Sequence, residues 1–107
     1  MLVSILVRRL RAGVTFEQFR AAWLAEPGYM SEPGHVGAPV CVTHAQRVDD
    51  DREIVSYALL DMTRDQLLQV TASMAEAERL RHDRLEAVVE STVVKGIYEV
   101  IDVTELT

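Results

Sequence analysis

The sequence predicts an α+β fold, a ferredoxin-like βαββαβ sandwich with a four-stranded antiparallel sheet and two helices on one face. Three observations predict it. Apolar residues alternate with a period of two in four separate stretches, the mark of strands. Two other stretches open with a Thr-x-x-Gln capping box and continue with helical spacing. The six follow one another as β-α-β-β-α-β within 107 residues, which suits one domain with one core. Residues 1–107 are therefore read as a single domain.

The first strand is "LVSILVRRL", residues 2–10. Val3, Ile5 and Val7 alternate with Leu2, Ser4 and Leu6, so both faces are apolar and both need cover. "RAG" turns the chain. Thr15 then caps helix one, Gln18 completes the box, and Val14 with Phe19 forms a hydrophobic staple. Phe16, Phe19 and Trp23 recur at helical spacing as its buried stripe. Pro27 and Gly28 end it. Three prolines and three glycines in residues 27–39 make a long loop, a lid over a ligand, a plain crossover or a subunit contact.

Two strands follow, "VCVTHAQRV" and "EIVSYALLDM", joined by the acidic "DDDR" as a hairpin. Thr63 and Gln66 form the second capping box, with Met62 and Leu67 as the staple. The helical pattern runs on to about Glu90, long enough to expect a bend near Ala75–Ala77. "TVVKGIYEVIDV" is the last strand, with Gly96 at a bulge.

Composition narrows function. Net charge is −6, from 11 basic and 17 acidic residues, which argues against nucleic acid or anionic membrane as partner. No apolar run approaches the roughly 20 residues that span a bilayer. "MLVSILVRRL" lacks the basic start and cleavage site of a signal peptide, so the cytoplasm is the expected compartment. Metal motifs are missing, and no cofactor is expected. The single cysteine, Cys41, reads as a small buried hydrophobe between Val40 and Val42.

The densest charge lies in "EAERLRHDRLEAV", residues 76–88. At 100° per residue, Glu78, Arg81 and His82 fall within about 60° of the Leu67–Leu85 axis, in the apolar sector. Arg79, Asp83 and Arg84 read as solvated face. Glu78 can reach His82 at i,i+4 and Arg81 at i,i+3. A carboxylate beside a histidine orients the imidazole and raises its pKa, which suits acid–base work. The plainer reading is a structural ion pair or a charged subunit contact. His44 is in phase with Val40, Val42 and Val48, as a hydrogen-bonded core residue or a pocket acid–base group. Tyr57 is either packing or a pocket hydroxyl, and Trp23 either core or pocket wall. Tyr29 and His35, in the long loop, either close over a ligand or lie on the surface.

Helices cover only one sheet face. The other stays apolar and too large to leave in water, so a second copy is expected on it as a two-fold homodimer. The chain here resembles the dimeric α/β-barrel superfamily. The likeness spans nearly all of it and is carried by the apolar first strand and "RAGVTFEQFRAAW", with its F-x-x-x-W. It is nearest to the small uncharacterised bacterial members and to EthD-like proteins. The resemblance implies a pocket between sheet and helices. It also implies a function among those of the group: isomerase, dehydratase, cofactor-free monooxygenase, or no catalysis. Haem-degrading and polyketide-oxidising members rely on a strand asparagine, and this chain has no asparagine. EthD-like members carry a histidine just after the helix-one tryptophan, where this chain has Glu26 nearby.

Two functions are therefore expected. One is a metal-independent small-molecule enzyme. His82 or His44 moves a proton, Glu78 assists, and Arg81 steadies an anion. Trp23, Tyr57 and His35 contact a small apolar or anionic ligand. The other is a non-catalytic dimerisation or ligand-binding module.

Overall fold

The computed structural model describes residues 1–24 and 41–106, apart from the side chains at 73, 74 and 77. Its elements are β1 (Leu2–Leu10), α1 (Phe16–Trp23), β2 (Thr43–Arg47), β3 (Asp50–Leu60), α2 (Arg64–Leu85) and β4 (Val89–Glu99). The sheet order is β2-β3-β1-β4, and every pair is antiparallel. This is the expected βαββαβ arrangement.

Both helix starts follow from their caps. The Thr15 hydroxyl accepts from the Gln18 N–H at 3.2 Å, and the Thr15 N–H donates to Gln18 Oε1 at 2.9 Å. Thr63 and Gln66 repeat both bonds at the same distances. Each box satisfies two of the donors that a helix start leaves open.

Register decides which strand residues meet the helices. Leu2 lies opposite Leu60, Leu6 opposite Ser56, and Arg8 opposite Ile54. Directly opposed residues share a face. The helix face therefore carries Leu2, Ser4, Leu6, Arg8 and Leu10 on β1, and Ile54, Ser56, Ala58 and Leu60 on β3. The other face carries Val3, Ile5 and Val7 against Leu59, Tyr57 and Val55, with Val94 and Tyr98 beyond.

The core on the helix face is split in two. Leu2, Ala58, Leu60 and Met62 cluster at one end, with Val42 and Leu67 against them. Leu10, Phe19, Ile54 and Leu85 cluster at the other, with Val14, Phe16 and Trp23 against them. Both staples join these clusters.

Several expectations need correction. α2 is one unbroken helix and stops at Leu85 rather than near Glu90. Its alanine-rich middle favours helix and gives no reason to bend. Beyond Leu85 the sheet takes the chain: Arg11 N–H donates to Val88 O at 2.9 Å, and Val89 pairs with Leu10. β3 begins at Asp50, so the hairpin turn is Val48–Asp49 and not the whole acidic run. The bulges of β4 fall opposite Val7/Arg8 and Arg9/Leu10, not at Gly96. Gly96 instead makes room for Tyr98, whose hydroxyl oxygen lies 3.0 Å and ring carbons 3.1 Å from where a Cβ would stand. Cys41 is exposed, not buried, and β2 starts two residues after it. Helix one ends at the Leu24 cap, and Pro27 and Gly28 lie outside the described residues.

Candidate functional site

Between the two core clusters, the strand alternation delivers polar residues to the helix face. β1 places Ser4 and Arg8 there, and β3 places Ser56. A cavity of about 1130 Å³ opens at this gap, with α2 across it from the sheet. Leu6, Leu60 and Ile97 contribute apolar wall from the sheet, and Leu67, Val70 and Ala75 from α2. Apolar walls with few converging polar groups are typical of small-molecule sites.

Ser56 is 3% exposed, and its hydroxyl lies 2.7 Å from His44 Nδ1. β2 supplies His44 directly opposite Ser56 across the β2–β3 ladder. Aromatic rings enclose the imidazole. Trp23 stands edge-on at 4.7 Å between centroids, Phe19 at 5.6 Å and Phe16 at 5.8 Å. Burial lowers the His44 pKa, and the nearby Arg8 and Arg20 charges lower it further. Both effects disfavour imidazolium, so His44 is a neutral base at pH 7. In the tautomer with Nδ1 unprotonated, the Ser56 hydroxyl donates to it.

Two arginines meet the same cavity from opposite sides. Arg8 and Arg81 are each 7% exposed. The Arg8 guanidinium carbon lies 5.6 Å from the Phe19 ring centre, and that of Arg81 lies 5.1 Å from the Trp23 ring centre. Both separations are within cation–π range. Burial lowers the Arg8 pKa first, the Arg81 charge lowers it next, and Glu78 opposes them.

The expected site residues separate. Of Glu78, Arg81 and His82, only Arg81 is buried. The Glu78 side chain is 54% exposed and lies 3.5 Å from Arg81 Nη1. The His82 side chain is 71% exposed, and its Nε2 lies 3.4 Å from Glu86 Oε1. His82 thus pairs with a carboxylate one turn on, Glu86, rather than with the expected Glu78 one turn back. Both Glu78 and His82 stand at the cavity margin. Trp23 lines the cavity, as does Arg81. Tyr57 borders it too, yet its register position is on the opposite sheet face, across from Ile5 and Thr43. His35, Tyr29 and Glu26 lie outside the described residues. Arg79 and Asp83 are indeed solvent-facing, bridged at 3.1 Å. Arg84 is not simply solvated, since its Nε donates to Ala22 O at 3.1 Å and ties α2 to α1.

Sequence reasoning missed Arg8 and Ser56. The signal was present: each interrupts an alternation of apolar residues, Arg8 between Leu6 and Leu10, Ser56 between Ile54 and Ala58. Among the described residues, no group of three or more His, Cys, Asp or Glu is placed to hold a metal ion. No described helix is long and apolar enough to cross a membrane.

No family model matches the chain, and no curated protein sequence does. Two solved structures do. A putative antibiotic biosynthesis monooxygenase from Nitrosomonas europaea superposes with a TM-score of 0.64 at 20% identity, covering 95% of this chain and 100% of that one. SnoaB, a cofactor-independent oxygenase from Streptomyces nogalater, superposes with a TM-score of 0.65 at 14% identity, covering 95% of each chain. Neither is described as EthD-like. At such identities the likeness concerns the fold: this chain has the ferredoxin-like α/β fold of these two proteins, over nearly its whole length.

Proposed function

We propose that this chain is a metal-independent small-molecule enzyme that removes a proton from carbon next to a carbonyl. The observation that carries this reading is the Ser56–His44 hydrogen bond on the wall of a largely apolar cavity. As Ser56 Oγ takes the substrate proton, its own hydroxyl proton passes to His44 Nδ1. The electron pair stays on the substrate as an enolate, beside positive charge from Arg8 and Arg81. Three outcomes follow from one enolate. Reprotonation at another carbon is isomerisation, loss of a β-substituent is dehydration, and reaction with dioxygen is cofactor-free oxygenation. The fold shared with a cofactor-independent oxygenase supports the third. The missing asparagine favours the first two.

The working unit in this proposal is a homodimer of single-domain chains. The open sheet face presents Val3, Ile5, Val7, Val55, Leu59 and Tyr98, and a second copy supplies a matching apolar face. A cytoplasmic location fits the exposed lone thiol of Cys41.

The test is exchange of the α-protons of 2-tetralone in D2O, followed by NMR, with dissolved oxygen recorded in parallel. Faster exchange than in an albumin control is expected, and oxygen uptake then marks an oxygenase. No acceleration for 2-tetralone or for a panel of apolar ketones and keto acids leaves a binding module without this chemistry.

A further inference from the structure

The resting charge of the cavity is unusual. Arg8 Nη1 is buried and has no hydrogen-bond partner among the described residues. A buried donor left without an acceptor costs about 1–3 kcal/mol, and more when charged. A second buried guanidinium, Arg81, lines the same space, and the two charges act on one another. Like charges held out of water repel more strongly than they would in solvent. The acids that share this wall offset them only from its exposed margin, with Glu78 beside Arg81. The side chains of Glu78, Glu86 and Glu90 are 54%, 67% and 49% exposed, and Glu90 is engaged with Arg9 and Arg52.

An enolate does not remove this cost, because it exists only during reaction. The repulsion and the open Nη1 donor belong to the resting protein. A ligand that arrives already charged relieves the repulsion and gives the Arg8 guanidinium an acceptor. Arginine's planar donor array suits a carboxylate better than a point charge. The rest of the wall, with Leu6, Leu60, Leu67, Val70, Ile97 and Trp23, suits an apolar body.

We propose that the cavity takes an apolar small molecule bearing a permanent carboxylate, which is held between Arg8 on β1 and Arg81 on α2. This names the substrate class of the site proposed above and rests on that reading. The acid group sits at the Phe19–Trp23 end, and the apolar body extends toward Leu60 and Leu67. Arg8 is the residue on which the resting protein depends for this choice, since Arg81 already meets Glu78.

Isothermal titration of the wild-type chain with 2-naphthoate and with the neutral 2-naphthamide tests this. The acid is expected to bind at least about tenfold more tightly than the amide. Arg8→Met is expected to remove that preference while leaving amide binding in place. Its melting temperature is expected to hold or rise, since a buried charge has been replaced by an apolar chain of similar length. Equal affinity for acid and amide in the wild type overturns the carboxylate and leaves the small-molecule cavity standing. Retention of the acid preference in Arg8→Met overturns the role of Arg8. Failure of both probes to bind overturns the carboxylate and the small-molecule reading together. Should Arg8→Met not fold, the wild-type comparison of acid with amide decides alone.

Discussion

The two faces of the sheet are built on opposite plans. The face covered by helices is the polar one: Ser4 and Arg8 on β1, Ser56 on β3 and His44 on β2 interrupt its apolar residues. The face left open is apolar along three neighbouring strands, with Val3, Ile5, Val7, Val55, Tyr57, Leu59, Val94 and Tyr98. Burial alone would sort them the other way. The difference teaches that, among the described residues, the helix face encloses a cavity while the other face stays open and apolar, and the proposed ligand and second copy complete one face each.

The helix face holds its shape through the two clusters that flank the cavity. The largest effect is therefore expected from Phe19→Ala. Phe19 is fully buried, touches Arg8 through its ring and packs edge-on against His44. Its truncation is expected to cost about 3–5 kcal/mol in urea unfolding, as for other buried aromatics. A cost below about 1 kcal/mol would mean that this end of the core is not the support it looks like.

A smaller effect on folding, but a larger one on assembly, is expected on the other face. Leu59 is 59% exposed in one chain. Leu59→Arg is expected to turn a dimer into a monomer in sedimentation at micromolar concentration, with the folded chain retained by circular dichroism. A wild-type chain that is already monomeric, or a variant that stays dimeric, would break the contrast between the faces.

Much of the fold was legible because its signals are local. Both capping boxes and both staples involve residues within five positions of one another, and periodicity marked all four strands. What failed was where a distant segment takes over. Residues 86–90 look helical by composition, but Leu10 and Arg11 pair with Val88 and Val89 and end the helix. Only register could bring Arg8 and Ser56 to one cavity wall with His44 bonded behind it, since they come from three strands. The helical wheel found the right sector of α2 but could not tell a buried residue from one at the rim. Arg81 and His82 are neighbours in sequence, and their burial differs widely because Arg81 packs over the Trp23 ring while His82 turns toward Glu86 on the solvent side. Arg8 was legible in principle, as a charge in phase with Leu2, Leu6 and Leu10.

The two histidines give the most direct test of where the chemistry sits. His44 lies behind the cavity wall, bonded to Ser56, and His82 lies on the solvent side beside Glu86. The measurement is the rate of α-proton exchange in 2-tetralone against pH, for the wild type, His44→Ala and His82→Ala. His44→Ala is expected to lose about 10²-fold, the usual contribution of a positioned acid–base group. The His44 pKa lies below the ordinary histidine value, so the wild-type rate is expected to fall only as pH drops below about 6.5. That inflection disappears in His44→Ala and persists in His82→Ala, which keeps the wild-type rate. A His44→Ala chain that retains both rate and inflection, with His82→Ala losing them, would contradict the account.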